Sequence, residues 1–351
     1  GCEFADNTAD GEGGAVYLGG AVPEISACVF RDNTATNNGG GLVVGGAVTA
    51  LSNSVFCGNV AYNPGGASGG AVLIKQAVEA IEGCAFSNNT ARTEGGAVRL
   101  NEGVTRLANC SFVGNTATGS SGGALGAKTR IGDVTNCIFA CNAAGNHGGA
   151  LSTETHVGSL ADSTFVSNVA AAAGGAIRAM GTVMSADRCT FADNAATTGA
   201  GGVNMAATSG VFTDCVFHSN TNNETNYGAH APRALKMVRC RFSGYGDVCA
   251  RDYDSCIFSN CVYRYCDPDY GSDVHGLITY PYAIGNGTIR NCLVQNCLVS
   301  RIIATAGVTV DIENCTFADN EVADVPPEGQ TTHAIMFFAF RENDYTTSTN
   351  R

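Results

Sequence analysis

The sequence predicts an all-β chain wound as a right-handed parallel β-helix, a solenoid with about 26 residues per coil and roughly 12–13 coils. Three observations predict it. The first is a phrase, Cys-x-Phe-x-x-Asn, that returns at this spacing. Its copies are Cys2/Phe4/Asn7, Cys28/Phe30/Asn33, Cys84/Phe86/Asn89, Cys110/Phe112/Asn115, Cys137/Phe139/Asn142, Cys189/Phe191/Asn194 and Cys215/Phe217/Asn220, with serine leading at Ser54/Phe56/Asn59 and Ser163/Phe165/Asn168. Weaker copies lie at Cys240/Phe242 and Cys315/Phe317/Asn320. The second is Gly-Gly-Ala followed by an aliphatic residue, as at Gly13-Gly14-Ala15-Val16, Gly95-Gly96-Ala97-Val98 and Gly174-Gly175-Ala176-Ile177. The third is composition: 46 Gly, no Trp and 14% charged residues suit tight turns and stacked small side chains better than amphipathic helices.

Each part of the repeat has a structural reason. Cys and Phe two residues apart share one face of a strand, and upstream aliphatics such as Val78 and Ile81 before Cys84/Phe86 continue the inward set. The change from a three-residue to a two-residue step predicts a bend just before the Cys. Asn then interrupts the alternation, as expected at a corner where an amide satisfies backbone groups and tolerates left-handed torsions. Gly-Gly permits positive φ and close backbone approach, after which a new period-two strand begins, as in Ala15-Val16-Tyr17-Leu18. The expectation is a coil of two or three short strands.

One coil cannot stand alone. Four or five buried side chains give roughly 10 kcal/mol gross, while ordering ~26 residues costs at least as much, so parallel stacking on both neighbours must supply the rest. At a strand spacing of ~4.8 Å the coils make a rod roughly 60 Å long, and parallel crossovers wind right-handed. We therefore expect one body over residues 1–351, with regular repeats over 1–230 and degenerate ones over 231–351 that include a Cys/Asp/Tyr-rich excursion near 245–280. The insertion Tyr62-Asn63-Pro64-Gly65-Gly66-Ala67-Ser68 leaves both phrases intact and reads as a surface loop. Solenoid insertions gather on the binding side, so the arc between Asn and Gly-Gly is the expected contact surface.

Net charge is −12, and the lysines are Lys75, Lys128 and Lys236, a poor electrostatic source for phosphate binding that argues against nucleic acid as a partner. No apolar stretch reaches the ~20 residues of a membrane-spanning helix. The chain opens inside a repeat at Gly1-Cys2 without a leader, and we read it as an excised or processed piece of a longer protein.

Phe-x-x-Asn alternating with Gly-Gly-Ala-[Ile/Leu/Val] over about residues 1–230 resembles the repeat of the chlamydial polymorphic outer membrane proteins and of related bacterial surface proteins. The resemblance implies an autotransporter passenger displayed outside the cell and involved in adhesion. Its motif positions here are Phe30/Asn33, Phe86/Asn89, Phe112/Asn115 and their equivalents. No membrane-barrel segment accompanies them, and Gly-Gly-Ala is lost after Gly201-Gly202-Val203.

There are 17 Cys, an odd number. The repeat cysteines fall in register and read as a column of buried thiols, with Ser54 and Ser163 as near-isosteric replacements, although stacked Cα atoms also lie within disulfide range. At Cys249, Cys256, Cys261 and Cys266 the spacing is irregular, which points to loop disulfides; paired Cys-x-x-Cys spacing for zinc is missing. Register is ambiguous there, because Cys256-Ile257-Phe258 carries the phrase while Cys266 sits 26 residues after Cys240 and 26 before Cys292.

The same region gathers Asp247, Asp252, Asp254, Asp267, Asp269 and Asp273 with Tyr253, Tyr263, Tyr265, Tyr270 and His275. Paired carboxylates there could serve a glycan-active enzyme as acid and base, against the plainer reading of an acidic surface loop. Asp267, Asp269 and Asp273 alternate near Gly271 as calcium ligands would, without the distal bidentate Glu. No other cofactor is expected. His147 and His156 read as surface residues. The functional expectation is a non-enzymatic extracellular or cell-surface rod that presents loops to a host surface, glycan or protein ligand. The alternatives are a self-associating subunit of an extracellular filament or surface layer and, third, a polysaccharide lyase or glycoside hydrolase.

Overall fold

The computed structural model describes residues 1–206, 209–222, 234–245, 250–263, 277–280, 286–299, 303–305, 308–322, 338–341 and 344–347. One coil holds four strands, not two or three: Ala85–Ser87, Thr90–Ala91, Val98–Leu100 and Val104–Ala108. Extra corners divide it. Asn88 and Asn109, each with φ of 54°, take left-handed torsions just before Asn89 and Cys110. The bend before the Cys is thus a single left-handed residue. At the other corner the ladder Asn is spared that torsion, and the residue before it turns instead; Asp32, Gly58, Asn88, Gly114 and Ser167 fill that place. Gly, Asn and Asp accept φ > 0 at low cost, whereas Ser167, and Cys141 with φ of 56° before Asn142, take it against that preference.

Every strand pairs in parallel with its equivalent one coil away, as Ala85–Ser87 does with Ser111–Val113 through Phe86 opposite Phe112. The result is a right-handed parallel β-helix. The sheet carrying the Phe column has 15 strands, thirteen in one continuous stack; the sheet preceding the Cys bend has 12, the Thr-Ala sheet 9 and the Gly-Gly-Ala sheet 8. Ladder hydrogen bonding consumes the backbone groups, so the faces of the rod present side chains alone.

Its interior is a single apolar shaft. Phe112 is fully buried, with ring centroids 4.7 Å from Phe86 and 4.8 Å from Phe139. Leu51, Ile81, Leu107 and Val134 make a second file, and Leu42, Val72, Val98 and Leu125 a third. Gly-Gly has two distinct duties. Gly95 turns with φ of 65°, whereas a Cβ on Gly96 would lie 2.0 Å from the Gly123 carbonyl oxygen of the next coil.

Phe191 keeps its own kind above and below and also meets a ring from outside the column. It is fully buried and stacks on Phe165 at 5.1 Å and on Phe217 at 5.0 Å, as the repeat predicts. A ring from a different file joins it, however: Phe212 meets Phe191 at 6.4 Å, tilted by 56°, and Phe217 at 5.9 Å, tilted by 50°. Phe212 stands in the file of Leu51 and Leu107, directly above Ala186. The small Ala186 side chain leaves room on that rung, and the bulky neighbour leans across the shaft to fill it, as close packing of an interior requires.

Beyond Asn222 the coils change while the shaft continues. Phe217 pairs with Phe242, Phe242 with Phe258, Phe258 with Val294 and Val294 with Phe317. This settles the register in favour of Cys256-Ile257-Phe258. A coil of only 16 residues, Phe242 to Phe258, precedes one of 36, Phe258 to Val294, and together they use the length of two ordinary coils.

Candidate functional site

Asn ladders fix the geometry on which any site is built. Asn115 is buried, its Oδ1 accepts from the Asn89 backbone N–H at 3.0 Å and from Asn89 Nδ2 at 2.9 Å, and its own Nδ2 donates to Phe86 O and Asn142 Oδ1, both at 3.0 Å. The pattern runs through Asn33, Asn59, Asn89, Asn142, Asn168 and Asn194. Each amide is fully used, which is what burial of so polar a column requires.

Cys28, Cys84, Cys110, Cys137 and Cys189 lie in a column of free thiols at the opposite end of the Phe strand. Each donates to the carbonyl two residues earlier, as Cys84 does to Glu82 at 3.3 Å and Cys110 to Ala108 at 3.2 Å; Ser54 and Ser163 do the same at 2.8 Å. Hydrogen bonding to Cys137 and Cys84, then burial, pushes the Cys110 thiol up, and hydrogen bonding to Cys215, then burial, does so for Cys189. Hydrogen bonding to Cys110 lowers Cys84 and Cys137 in turn; all three are buried, and the column serves packing.

The irregular cysteines divide differently from expectation. Cys256 and Cys261 are buried free thiols, not loop disulfides. Cys256 continues the Cys column. Cys261, three residues after Phe258, occupies the place of a ladder Asn, and its thiol donates to Phe242 O at 3.3 Å as an Asn amide would. Cys297 repeats this on Phe258 O at 3.8 Å, while its backbone N–H donates to Asn320 Oδ1 at 3.0 Å. The sequence signal was Phe258-x-x-Cys261, visible once Cys is admitted beside Asn. Cys249, Cys266, Asp267, Asp269 and Asp273 lie outside the described residues.

Asp252 and Asp254 point outward on Ala250–Asp254, and Tyr253 between them packs in the core edge-on to Phe258. The Thr288 hydroxyl donates to Asp252 at 3.0 Å; Ser255, then Asn291, hold the Asp254 carboxyl below its ordinary value. A catalytic acid needs the opposite shift.

A surface with recognition character lies on the Gly-Gly-Ala sheet. Its central outward residues stack as Tyr17, Val43, Leu73, Arg99, Gly126, Ser152, Arg178 and Asn204. Val43 is 0%, Leu73 3% and Arg99 5% exposed, although none belongs to the shaft. The turns of the predicted contact arc cover them. Lys75 Nζ meets Glu12 at 2.7 Å and lies 5.5 Å from the Tyr17 ring centroid, Asn38 donates to Glu12 at 2.9 Å, and Arg99 pairs with Glu94. The column is therefore roofed by the arc from Val43 to Gly126 and reaches solvent at Tyr17, Ser152, Arg178 and Asn204. The 62–68 insertion belongs to that arc, exposed at Tyr62, Pro64 and Gly65 and closed by a Gly66 N–H to Asn63 O bond of 3.0 Å.

The column changes character at Gly126 and Ser152, where side chains shrink. His147 stands on the arc and its Nδ1 accepts the Ala173 N–H at 3.2 Å, so in the neutral ring Nε2 carries the proton. Burial, then the Arg178 charge, keeps the His147 pKa below the usual histidine value. Arg178 bonds Asn204 and the Met180 sulfur at 3.3 Å; it has no carboxylate partner among the described residues, and its buried Nε lacks an acceptor.

An all-β solenoid with ladders inside and a variable column outside is a repeat protein of the scaffold class. The Chlamydia polymorphic membrane protein (Chlamydia_PMP) repeat matches residues 1–19, which hold one complete pair of phrases. No curated protein and no solved structure matches the chain. Fold and repeat fit a surface-exposed, passenger-like protein. Among the described residues no helix is long and apolar enough to cross a membrane.

Proposed function

We propose that this chain is a non-enzymatic adhesive rod, displayed outside the cell, that binds its ligand along the outward column of the Gly-Gly-Ala sheet. One observation carries the reading. The Phe and Asn files repeat the same residue rung after rung, whereas the outward column of this sheet reaches solvent at Tyr17, Ser152, Arg178 and Asn204, four unlike side chains. Packing has no use for such variety, and recognition on a rigid scaffold does. The test is binding of the purified chain to host-type cell surfaces, compared with a variant carrying Tyr17→Ser, Ser152→Leu and Arg178→Gln. Loss of binding at unchanged melting temperature is expected; equal binding by both chains refutes the column as the adhesive surface.

Self-association is a second reading, favoured by a different face. From Val55 to Val169 the outward positions of the Phe and Thr-Ala strands hold no charged residue across five coils, and Val55, Val113, Ile138 and Val169 are exposed. Two copies of a chain of net charge −12 would meet there with least repulsion. Sedimentation velocity at increasing concentration tests it: oligomers dispersed by Ile138→Lys support the reading, and a monomer throughout rejects it.

A further inference from the structure

We propose that two copies of the chain pair face to face and antiparallel on the uncharged side of the rod, related by a two-fold axis along the coil of Phe112. The inference rests on the self-association reading and gives it a geometry. Each of the five coils from Phe56 to Phe165 turns four residues outward on the Phe strand, the Thr-Ala strand and the corner between them, as Ser111, Val113, Gly114 and Thr116 do on the middle one. On a chain of net charge −12, none of the residues in these positions is charged, aromatic or buried. Apolar side chains extend across the patch, with Val113 41%, Ile138 51% and Val169 48% exposed.

A second copy is the occupant that suits such a surface. A charged ligand finds no opposite charge on it. A peptide docks on a sheet by adding a strand to an edge, whereas these backbone groups are already paired within the rod. A second copy presents the same array of Ala, Ser, Thr and Val, whose small side chains let two sheets approach to the usual ~10 Å. At the strand spacing and rise per residue the patch is about 24 Å long and ~20 Å wide, so two copies bury about 1,000 Å² in all, the lower limit of a specific interface. The dimer is accordingly weak, and in the dilute chain Cys141 on this face stays open to reagents.

Charges at the two ends of the patch choose the orientation. On the coils of Phe4 and Phe30 the outward positions hold Glu3, Asp6 and Asp32 around a single guanidinium, Arg31, which bonds Glu3 at 2.8 Å and Asp6 at 3.2 Å. On the coils of Phe191, Phe217 and Phe242 they hold Asp193, His218 and Arg241. Parallel pairing sets the three carboxylates against their own equivalents. Antiparallel pairing about the middle coil sets them against Asp193 and His218 of the second copy, with Arg241 next along, so a surplus of carboxylate meets a balanced set. In that register Val113 faces Val113 and Val55 faces Thr164, each two rungs from the middle. The same patch serves both partners, and the pair closes at two where a head-to-tail contact would grow a filament.

Sedimentation velocity and cysteine cross-linking of the full chain test the inference. A monomer–dimer equilibrium with nothing larger is expected, and Val113→Lys should raise its dissociation constant at least tenfold at unchanged melting temperature. With Cys2, Cys57 and Cys141 replaced by Ser, Val113→Cys should be joined into a dimer by a short bismaleimide, judged on denaturing gels against the same chain without it. Val55→Cys alone should not, because its two copies stand four rungs apart, about 19 Å at the strand spacing, whereas a mixture of Val55→Cys and Thr164→Cys chains should. A monomer at every concentration overturns both this inference and the self-association reading. Oligomers indifferent to Val113→Lys overturn the face, and Val55→Cys linking to itself as readily as Val113→Cys overturns the antiparallel register; either result leaves self-association standing. Species larger than the dimer overturn the closed pair.

Discussion

Replacing Asn115 by alanine should destabilise the rod as much as deleting a core aromatic ring, although the residue is polar. The substitution removes four hydrogen bonds: two that Oδ1 accepts from Asn89, and two that Nδ2 donates to Phe86 O and Asn142 Oδ1. The consequences differ. Asn142 Oδ1 keeps the Asn115 backbone N–H, and Asn89 Nδ2 keeps Phe56 O, but the Asn89 N–H is left with nothing in a fully buried corner. An orphaned N–H costs roughly 1–3 kcal/mol and each of the other lost bonds about 0.5–1.5, which gives about 5 kcal/mol in all. Asn115→Cys should cost about half as much, because a thiol can donate to the Phe86 carbonyl as Cys261 does to Phe242 at 3.3 Å. Asn115→Asp supplies acceptors but no donor until protonated. Its folded-state pKa is raised, so its contribution is greatest below the unfolded carboxyl pKa and is lost as pH rises through the folded value. Urea unfolding followed by far-ultraviolet circular dichroism, compared at equal m, reads the series. A cost for Asn115→Ala within about 0.5 kcal/mol of zero, the range of ordinary surface changes, would refute the ladder energetics.

Phe112→Ala should cost ~3–5 kcal/mol through lost burial and the cavity left between Phe86 and Phe139, whereas Pro64→Ala in the exposed 62–68 turn should cost under about 0.5; equal urea midpoints would contradict the inward file. Gly96→Ala should prevent native stacking, since its Cβ has 2.0 Å to the Gly123 carbonyl oxygen; native circular dichroism and an unchanged melting temperature would disprove the close approach. Cys84→Ser should cost less than about 1.5 kcal/mol, as Ser54 and Ser163 hold the same bond to the carbonyl two residues back, and a larger loss by thermal melt would sink the isostere argument. Thiol titration of the native chain should label exposed Cys141 early and Cys84, Cys110 and Cys137 only on unfolding; early labelling of the column, read by peptide mapping, would show that it is open.

The solenoid was legible because one phrase encodes one stacking register. Cys110, Phe112 and Asn115 each face their own kind above and below, so a periodic sequence translates directly into files. Phe191 marks the limit of that logic: its own phrase is intact, but the tilted Phe212 beside it answers to the size of Ala186 on another file, which no single phrase records. Corners were less legible. Left-handed torsion is taken by Asp, Asn, Gly, Ser or even Arg, as at Arg188 with φ of 50°, and no single residue type marks it. At Arg188 a bidentate ion pair with Asp162 of the previous coil, at 2.7 and 2.9 Å, accompanies that backbone. Cys261 was misread because cysteine spacing suggests covalent chemistry, whereas here its thiol substitutes as a hydrogen-bond donor, as that of Cys297 does one coil on. The outward column was half legible: the arc was expected from its insertion, but not that Val43 and Leu73 would be buried outside the shaft, because period-two alternation assigns the central strand residue to solvent.

Ring spacing explains how such a rod acquires a variable outer surface without loss of its core. Phe30 to Phe56 takes 26 residues, Phe56 to Phe86 takes 30 and Phe242 to Phe258 takes 16, yet the centroids lie 4.8, 4.9 and 4.6 Å apart. Chain length between rungs is free, and register at the rung is not. Parallel hydrogen bonds fix each strand against its neighbours, so an added or deleted turn changes what the arc presents while Phe, Cys and Asn return to their files. Loop closure makes this cheap, since doubling a turn's length costs only about 0.6 kcal/mol, far less than displacing one ring from the column. Variation should accordingly gather in the arc and at the outward positions of the Gly-Gly-Ala sheet, where Arg178, without a carboxylate partner among the described residues, already marks a departure that the shaft neither requires nor resists.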